Sequence, residues 1–154
     1  MAFMRCLYSL LLILCLGACS TRSSLKVDSF FMRDLSTPAT DEPMVRMEKL
    51  RRLHGALTAE ERNGRLGHYY TIHWSDPAGA GKGEVEIVFE YQQGSTASQV
   101  KRQWQRFSSS DSAGKAEFCV TGNDYLKGGR VLAWKATLKR ADREIAKRHS
   151  YLWE

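Results

Sequence analysis

The sequence predicts a mainly β protein, an antiparallel β-sandwich with one short helix near residues 44–62. Several segments alternate apolar and polar residues with period two, which is the pattern of strands buried on one face. Turn-forming residues separate these segments at short intervals. Helical patterns do not recur between the segments, as the βαβ units of a parallel sheet require. About six to eight short strands of this kind favour a sandwich or a barrel.

Before residue 67 the chain combines one strand, a loop and a helical pattern. Leu25 to Arg33 mixes apolar and polar residues and predicts a first strand, whereas residues 36–43 hold two of the three prolines and predict a loop. Apolar residues then recur at helical spacing: Met44, Met47, Leu50, Leu53 and Leu57. Thr58 and Glu61 fit a capping box that opens one further turn. We expect a short helix or an irregular crossover here.

Two alternating runs follow, separated by the glycine-rich loop "AGAGKG". In "HYYTIHW" one face carries Tyr70, Ile72 and Trp74. In "EVEIVFEY" the inward positions are Val85, Ile87, Phe89 and Tyr91, and the glutamates Glu84, Glu86 and Glu90 point outward. The loop lacks the spacing of a phosphate-binding loop and precedes a strand. We therefore expect the two runs to form an antiparallel hairpin.

The second half of the chain continues the β pattern. Val100 to Phe107 fits a strand, although the positions of its apolar residues also fit a helix. "KAEFCV" predicts a strand with Cys119 as a packed small residue, and "TGNDYLKGG" predicts a turn-rich connection. "RVLAWKATLKR" and "EIAKRHSYLW" predict a closing hairpin, whose first strand has one apolar face: Leu132, Trp134, Ala136 and Leu138. We expect most of the four tryptophans to be buried or half-buried.

The N-terminal segment has the features of an export signal. Arg5 supplies a positive charge, and the apolar run from Cys6 to Leu16 is too short to span a bilayer. The sequence Leu16-Gly17-Ala18-Cys19 resembles the lipobox of bacterial lipoproteins. This resemblance implies cleavage between Ala18 and Cys19, lipidation of Cys19, and, with serine at position 20, sorting to the outer membrane. The alternatives are an ordinary secretory signal with a chance cysteine and an uncleaved membrane anchor.

Composition limits the functions that the mature chain can have. Cleavage after Ala18 removes Cys6 and Cys15, and lipidation occupies Cys19, so that Cys119 has no partner for an internal disulfide. The whole chain has 23 basic and 17 acidic residues, a net charge of +6. This mild basic excess favours contact with anionic head groups or glycans. An exported protein has little access to nucleic acid, which we exclude as a partner.

The predicted strands also resemble those of immunoglobulin-like and fibronectin-type-III-like sandwiches. Trp74 on an early strand, the run with Phe118 and Val120, and the late hairpin with Trp134 carry this likeness. The cysteine–tryptophan–cysteine pattern of antibody domains is missing, so the resemblance implies an architecture and no activity. Residues 67–154 also resemble small uncharacterised bacterial lipoproteins that end in a "SYLW" strand.

No motif in the sequence predicts a catalytic or metal site. The four histidines do not have metal-ligand spacing, and the three glutamates of "EVEIVFEY" are typical of a solvated strand face with cross-strand Lys or Arg partners. The candidates for a site built from loops are Glu86, His73 and Asp76. The last hairpin is basic, and its candidate contacts with an anionic surface are Lys135, Lys139, Arg140, Arg143, Lys147 and Arg148. A charged edge that prevents aggregation is the alternative.

Taken together, the sequence predicts a signal peptide over residues 1–18, a lipidated cysteine and tether over 19–24, and a single sandwich domain over 25–154. We expect a lipid-anchored binding or structural module of the outer membrane that needs no cofactor and contacts an envelope protein or a glycan. Two alternatives stay open. One is an accessory subunit of an envelope or secretion machine, and the other is a glycan-acting envelope enzyme.

Overall fold

Seven strands and three short helices make up the described part of the protein. A computed structural model describes residues 24–96 and 98–153. The strands are β1 Leu25–Met32, β2 Gly67–Ser75, β3 Val85–Gln93, β4 Lys101–Phe107, β5 Ala113–Thr121, β6 Val131–Arg140 and β7 Arg143–His149. The α-helices are α1 Pro43–Leu53, α2 Ala59–Asn63 and α3 Gly122–Gly128, and a 3₁₀ turn covers Pro77–Gly79. The predicted signal peptide, Ala18 and Cys19 lie outside the described residues.

The strands form two antiparallel sheets, which confirms the predicted β-sandwich. One sheet has the order β1-β2-β5, and the other has the order β4-β3-β6-β7. If the strands are lettered A, B, C, C′, E, F and G in chain order, the sheets are A-B-E and C′-C-F-G. In immunoglobulin-type sandwiches, strands A, B and E likewise share one sheet and strands C, F and G the other.

The core lies between the two sheets and consists of the alternate residues that the sequence predicts. Its most deeply buried members are Ile72, Val85, Ile87, Phe89, Ala116, Val120, Ala136 and Leu138, each 0% exposed. Aromatic rings fill the centre, where Tyr70 lies 4.5 Å and Phe118 lies 5.4 Å from Phe89, between ring centroids. Large aromatic side chains supply much of the burial that holds two sheets together.

The predicted hairpin between "HYYTIHW" and "EVEIVFEY" is wrong. The strand β2 pairs with β1 and β5, whereas β3 pairs with β4 and β6, so the connection crosses from one sheet to the other. Because both sheets bury one face, alternation is the same whichever sheet a strand joins. The crossing loop is held by Asp76, whose carboxylate binds the guanidinium of Arg140.

Helix α1 confirms the predicted helix, and α2 begins with the predicted capping box. The backbone N–H of Glu61 donates to the Thr58 hydroxyl, and the Glu61 carboxylate accepts from the Thr58 backbone. Helix α1 covers the outer face of the three-stranded sheet, where the Arg52 guanidinium lies 4.2 Å from the centre of the Tyr69 ring. Lys49 is the buried residue of this helix, and its amine donates to Asp34, Ser36 and Asp41 of the preceding loop.

Three local predictions differ from the structure. Residues 122–128 form helix α3 instead of an irregular turn. Leu132 is 51% exposed, because a register shift pairs Gln92 with Ala133 and Gln93 with Val131, leaving Leu132 as the extra residue of a bulge. Cys119 is exposed on the outer face of β5 rather than packed.

Candidate functional site

The predicted basic residues of the last hairpin do not share one surface. Lys135, Lys139 and Lys147 lie on the outer face of the four-stranded sheet, at register positions that alternate with core residues. Arg143 is exposed at the hairpin end, and Arg148 lies opposite Ala136 and donates to the backbone carbonyl of Leu25.

Arg140 does not reach this surface. It is 4% exposed, and its Nε lies 2.7 Å from Asp76 Oδ2. Its other guanidinium nitrogens donate to the carbonyls of residues 83, 109 and 111. Because all of its partners are internal, Arg140 holds loops together and is not available to an anionic surface.

A shallow groove of about 440 Å³ lies on the outer face of the four-stranded sheet, and we call it the sheet groove. Its lining comes from four strands: Glu86, Val88 and Glu90 of β3, Arg102, Trp104 and Arg106 of β4, Lys135, Thr137 and Lys139 of β6, and Glu144 of β7. Four cations and three carboxylates face one another across neighbouring strands. The outward positions of a regular sheet place these side chains in rows.

Two rows of paired charges bound the sheet groove. In one row Arg106 Nε lies 3.0 Å from Glu86 Oε1, and Lys139 is the register partner of Glu86 on the other side. In the other row Glu90 lies between Arg102 and Lys135, at 2.6 Å and 2.7 Å. Burial raises the pKa of Glu90, but hydrogen bonds from Lys135 and Arg102 outweigh burial and hold that pKa below its ordinary value. Glu90 is therefore a charged pairing partner rather than a proton donor.

The row between the two charged rows is mostly uncharged. Val88 is opposite Trp104 on one side and Thr137 on the other, and Thr137 is opposite Lys147. Val88 and Thr137 are 8% and 5% exposed and form the floor, whereas Trp104 is 61% exposed and stands above it. An indole flanked by Arg102 and Arg106 thus forms one side of the sheet groove.

The candidate enzyme residues are not brought together. Glu86 lies in the sheet groove, and His73 lies on the outer face of the other sheet, with its Nε2 3.7 Å from Asp28. Asp76 is bound to Arg140 at the end of the sandwich. These three residues therefore do not form an acid–base site. Among the residues that the structure describes, no three His, Cys, Asp or Glu side chains lie close enough to hold a metal ion.

A second groove of about 740 Å³ lies between the edge strands β1 and β7. Leu25, Val27, Trp74 and Trp134 form its apolar side, and Lys26, His73, Arg148 and His149 form its polar side. The carbonyl of Leu25 already accepts a hydrogen bond from Arg148 across this seam. This groove is therefore the gap between the two sheets at the edge of the sandwich, and the hydrogen bond between Arg148 and Leu25 bridges part of it.

The sequence prediction did not single out Trp104 or its neighbours Arg102 and Arg106, which line the sheet groove. Most tryptophans were expected in the core or half-buried, which holds for Trp74, Trp134 and Trp153. Trp104 stands between two arginines in alternate positions, "RQWQR". That pattern places Trp104 on the same face as Arg102 and Arg106, and two neighbouring arginines on a face indicate solvent rather than core.

No family model, no curated protein and no solved structure matches this chain. Within residues 24–96 and 98–153, none of the helices has the length and apolar character needed to cross a bilayer.

Proposed function

We propose that this chain is an exported, lipid-anchored protein of the outer membrane that works as a non-catalytic binding module. In this proposal the lipid on Cys19 sets the location, and the sheet groove binds an acidic glycan of the envelope. The observation that carries the binding role is the exposed indole of Trp104 between Arg102 and Arg106, above a floor of Val88 and Thr137. The anchor is supported by the lipobox-like sequence at residues 16–19.

The composition of the sheet groove suits a sugar better than an apolar ligand. A sugar ring has a C–H face that packs on an aromatic side chain, and hydroxyls that hydrogen-bond to charged groups at its edge. The groove supplies both, since Trp104 stands between rows that contain Glu86 with Arg106 and Glu90 with Arg102. A few well-placed polar groups around an apolar surface are typical of ligand sites.

The charge of the sheet groove favours an acidic sugar. Its lining has four cations and three carboxylates, and Lys147 adds a further cation beside Thr137. The Lys147 amine lies 3.8 Å from Glu144, a long contact, and its side chain is 62% exposed. A carboxylate or phosphate on the glycan would gain from this excess of positive charge, and the gain would weaken at high salt.

Affinity electrophoresis tests the binding role. The purified protein is run through gels that contain polygalacturonate, an acidic glycan, or dextran, a neutral one. Retardation is expected in polygalacturonate. Trp104→Ala should weaken it about tenfold, because an aromatic contact of this kind contributes roughly 1–2 kcal/mol. Tyr151→Ala is the matched control, since Tyr151 is 98% exposed and outside the groove. Equal retardation of the two variants, or none for the wild type, would overturn the proposal.

Metabolic labelling tests the anchor separately. Cells that express the wild type or Cys19→Ser are grown with labelled palmitate, and the protein is recovered and counted. The wild type should carry label and the variant should not. Equal palmitate label in the wild type and in Cys19→Ser would refute the lipoprotein assignment. It would not affect the conclusion on glycan binding, which affinity electrophoresis tests independently.

A further inference from the structure

Helix α1 presents its apolar side to solvent and its charged side to the protein, the reverse of an ordinary surface helix. The outward residues Met44, Met47 and Leu50 are 74%, 65% and 56% exposed. Lys49, on the inward side, is 6% exposed. Leu57, just beyond the helix, adds an apolar side chain that is 86% exposed.

The inward side of α1 is fully used by contacts within the domain. The Lys49 amine donates to Asp34 at 3.0 Å, to the Ser36 carbonyl at 2.7 Å and to Asp41 at 3.2 Å. The hydrogen bonds that Lys49 donates to Asp34 and, to a lesser degree, to Asp41 outweigh burial and raise the pKa of Lys49, so the amine is charged and tied to the preceding loop. Polar contacts therefore set the orientation of α1, and among the residues that the structure describes they leave the apolar stripe without a partner.

We propose that the apolar stripe Met44, Met47 and Leu50 rests in the head-group region of a phospholipid bilayer. The proposal rests on the lipid anchor of the proposed function. Residues spaced three apart on a helix lie along one side, so the stripe can enter a membrane interface without unfolding the helix. A contiguous apolar surface that faces water is typical of a site that another surface covers.

The length of the tether fits this placement. Strand β1, which follows the tether directly, belongs to the three-stranded sheet that α1 covers. Residues 20–24 span at most about 17 Å when extended, and a helix with its side chains is about 10 Å thick. A lipid on Cys19 would thus hold the domain, and α1 with it, within reach of the bilayer.

The charges beside the stripe fit an anionic lipid surface. At 100° per residue, Arg46 borders the stripe beside Leu50, and Arg51 lies on the stripe's own surface between Met44 and Met47. His54 continues this surface at the end of α1. Arg51 shares Glu48 with Arg52, so that carboxylate is already paired with two cations. Basic residues that border an apolar face are typical of helices that lie on anionic membranes.

Fluorescent labels on the full lipidated chain test this placement. In a Cys119→Ser background, Met47→Cys or Tyr151→Cys carries a polarity-sensitive dye, and the protein is added to vesicles of phosphatidylethanolamine and phosphatidylglycerol. The dye at position 47 should move to shorter wavelength and be quenched by lipid-borne quenchers, whereas the dye at 151 should not. Leu50→Glu should reduce quenching at position 47 to the level seen at 151. Leu132→Glu should leave it unchanged, and it is well matched because Leu132 is 51% and Leu50 is 56% exposed.

Three outcomes overturn the proposed contact of the stripe with lipid. A dye at position 47 that stays unquenched in vesicles removes the lipid contact. If the emission of the dye at position 47 moves to shorter wavelength in native envelopes but not in pure lipid, the stripe contacts a protein partner. If that emission changes with protein concentration in the absence of lipid, the stripe contacts a second copy of the chain. Palmitate measured on the same preparation separates the two proposals. A chain without palmitate whose position-47 dye is still quenched refutes the anchor and retains the helix contact.

Discussion

Replacing Asp76 by alanine tests whether the pair Asp76–Arg140 holds the loops at the end of the sandwich. Arg140 is buried, and Asp76 supplies its charged partner at 2.7 Å. Without that carboxylate the guanidinium keeps its carbonyl partners but has no opposite charge, while it remains out of water. Removing one partner of a buried ion pair destabilises a fold by about 3–5 kcal/mol. For a domain of this size that loss lowers the melting temperature by roughly 10 °C.

Urea unfolding followed by tryptophan fluorescence measures this loss. Asp28→Ala is the matched control, because Asp28 pairs with Lys26 at 3.0 Å while the two side chains are 49% and 69% exposed. An exposed pair of this kind contributes at most about 1 kcal/mol. If Asp76→Ala were no more destabilising than Asp28→Ala, the pair would not hold the end of the sandwich, and the crossing of the loop between the sheets would need another explanation.

Three further outcomes are expected. Burial, and to a lesser degree the charge of Arg130, lower the pKa of His68 from 6.5 to about 4. Unfolding therefore takes up a proton between these values, so acidification from pH 6.5 to pH 4 should remove up to about 3 kcal/mol of stability. Urea titrations at pH 7 and 4.5 should show this loss in the free energy of unfolding for the wild type, and His68→Phe should lack it. An equal loss in the wild type and in His68→Phe would refute the assignment to His68. Cys119 should react with Ellman's reagent without denaturant, because it is exposed; reaction only in urea would place it in the core. Gly67→Ala should destabilise the fold by about 2 kcal/mol, since Gly67 has φ +138° and an added Cβ would collide with the Val120 carbonyl. Gly94→Ala should be close to neutral in the same urea titration, because a Cβ there would lie 4.0 Å from the Arg130 carbonyl oxygen.

Alternation of residue types predicts the strands and their inward faces but not their partners. Ile72, Phe89 and Phe118 belong to three strands, and their burial follows from sequence spacing alone. Which sheet a strand joins depends on contacts far apart in the chain, such as the one between Asp76 and Arg140. Sequence spacing carries no information on such a pair, and so the hairpin between β2 and β3 was predicted wrongly.

The candidate site was predicted in part. The expected cross-strand partners of the glutamates are present, because Glu86 pairs with Arg106 and Glu90 pairs with Arg102 and Lys135. The basic hairpin was treated as one surface, although residues in alternate positions of a strand point to opposite faces.

The helical pattern of α1 was predicted correctly, but its orientation was not foreseen. Apolar spacing locates a stripe without saying which side of the helix faces the core. In this fold Lys49 faces inward, because Asp34 and Asp41 supply carboxylates there.

Mass spectrometry of the intact protein from its native membrane tests the location of the chain most directly. We expect a chain that starts at Cys19 and carries the mass of a diacylglycerol thioether and an acylated amine. A chain that retains residues 1–18, or that has an unmodified sulfur at Cys19, would contradict the anchor and the outer-membrane location together.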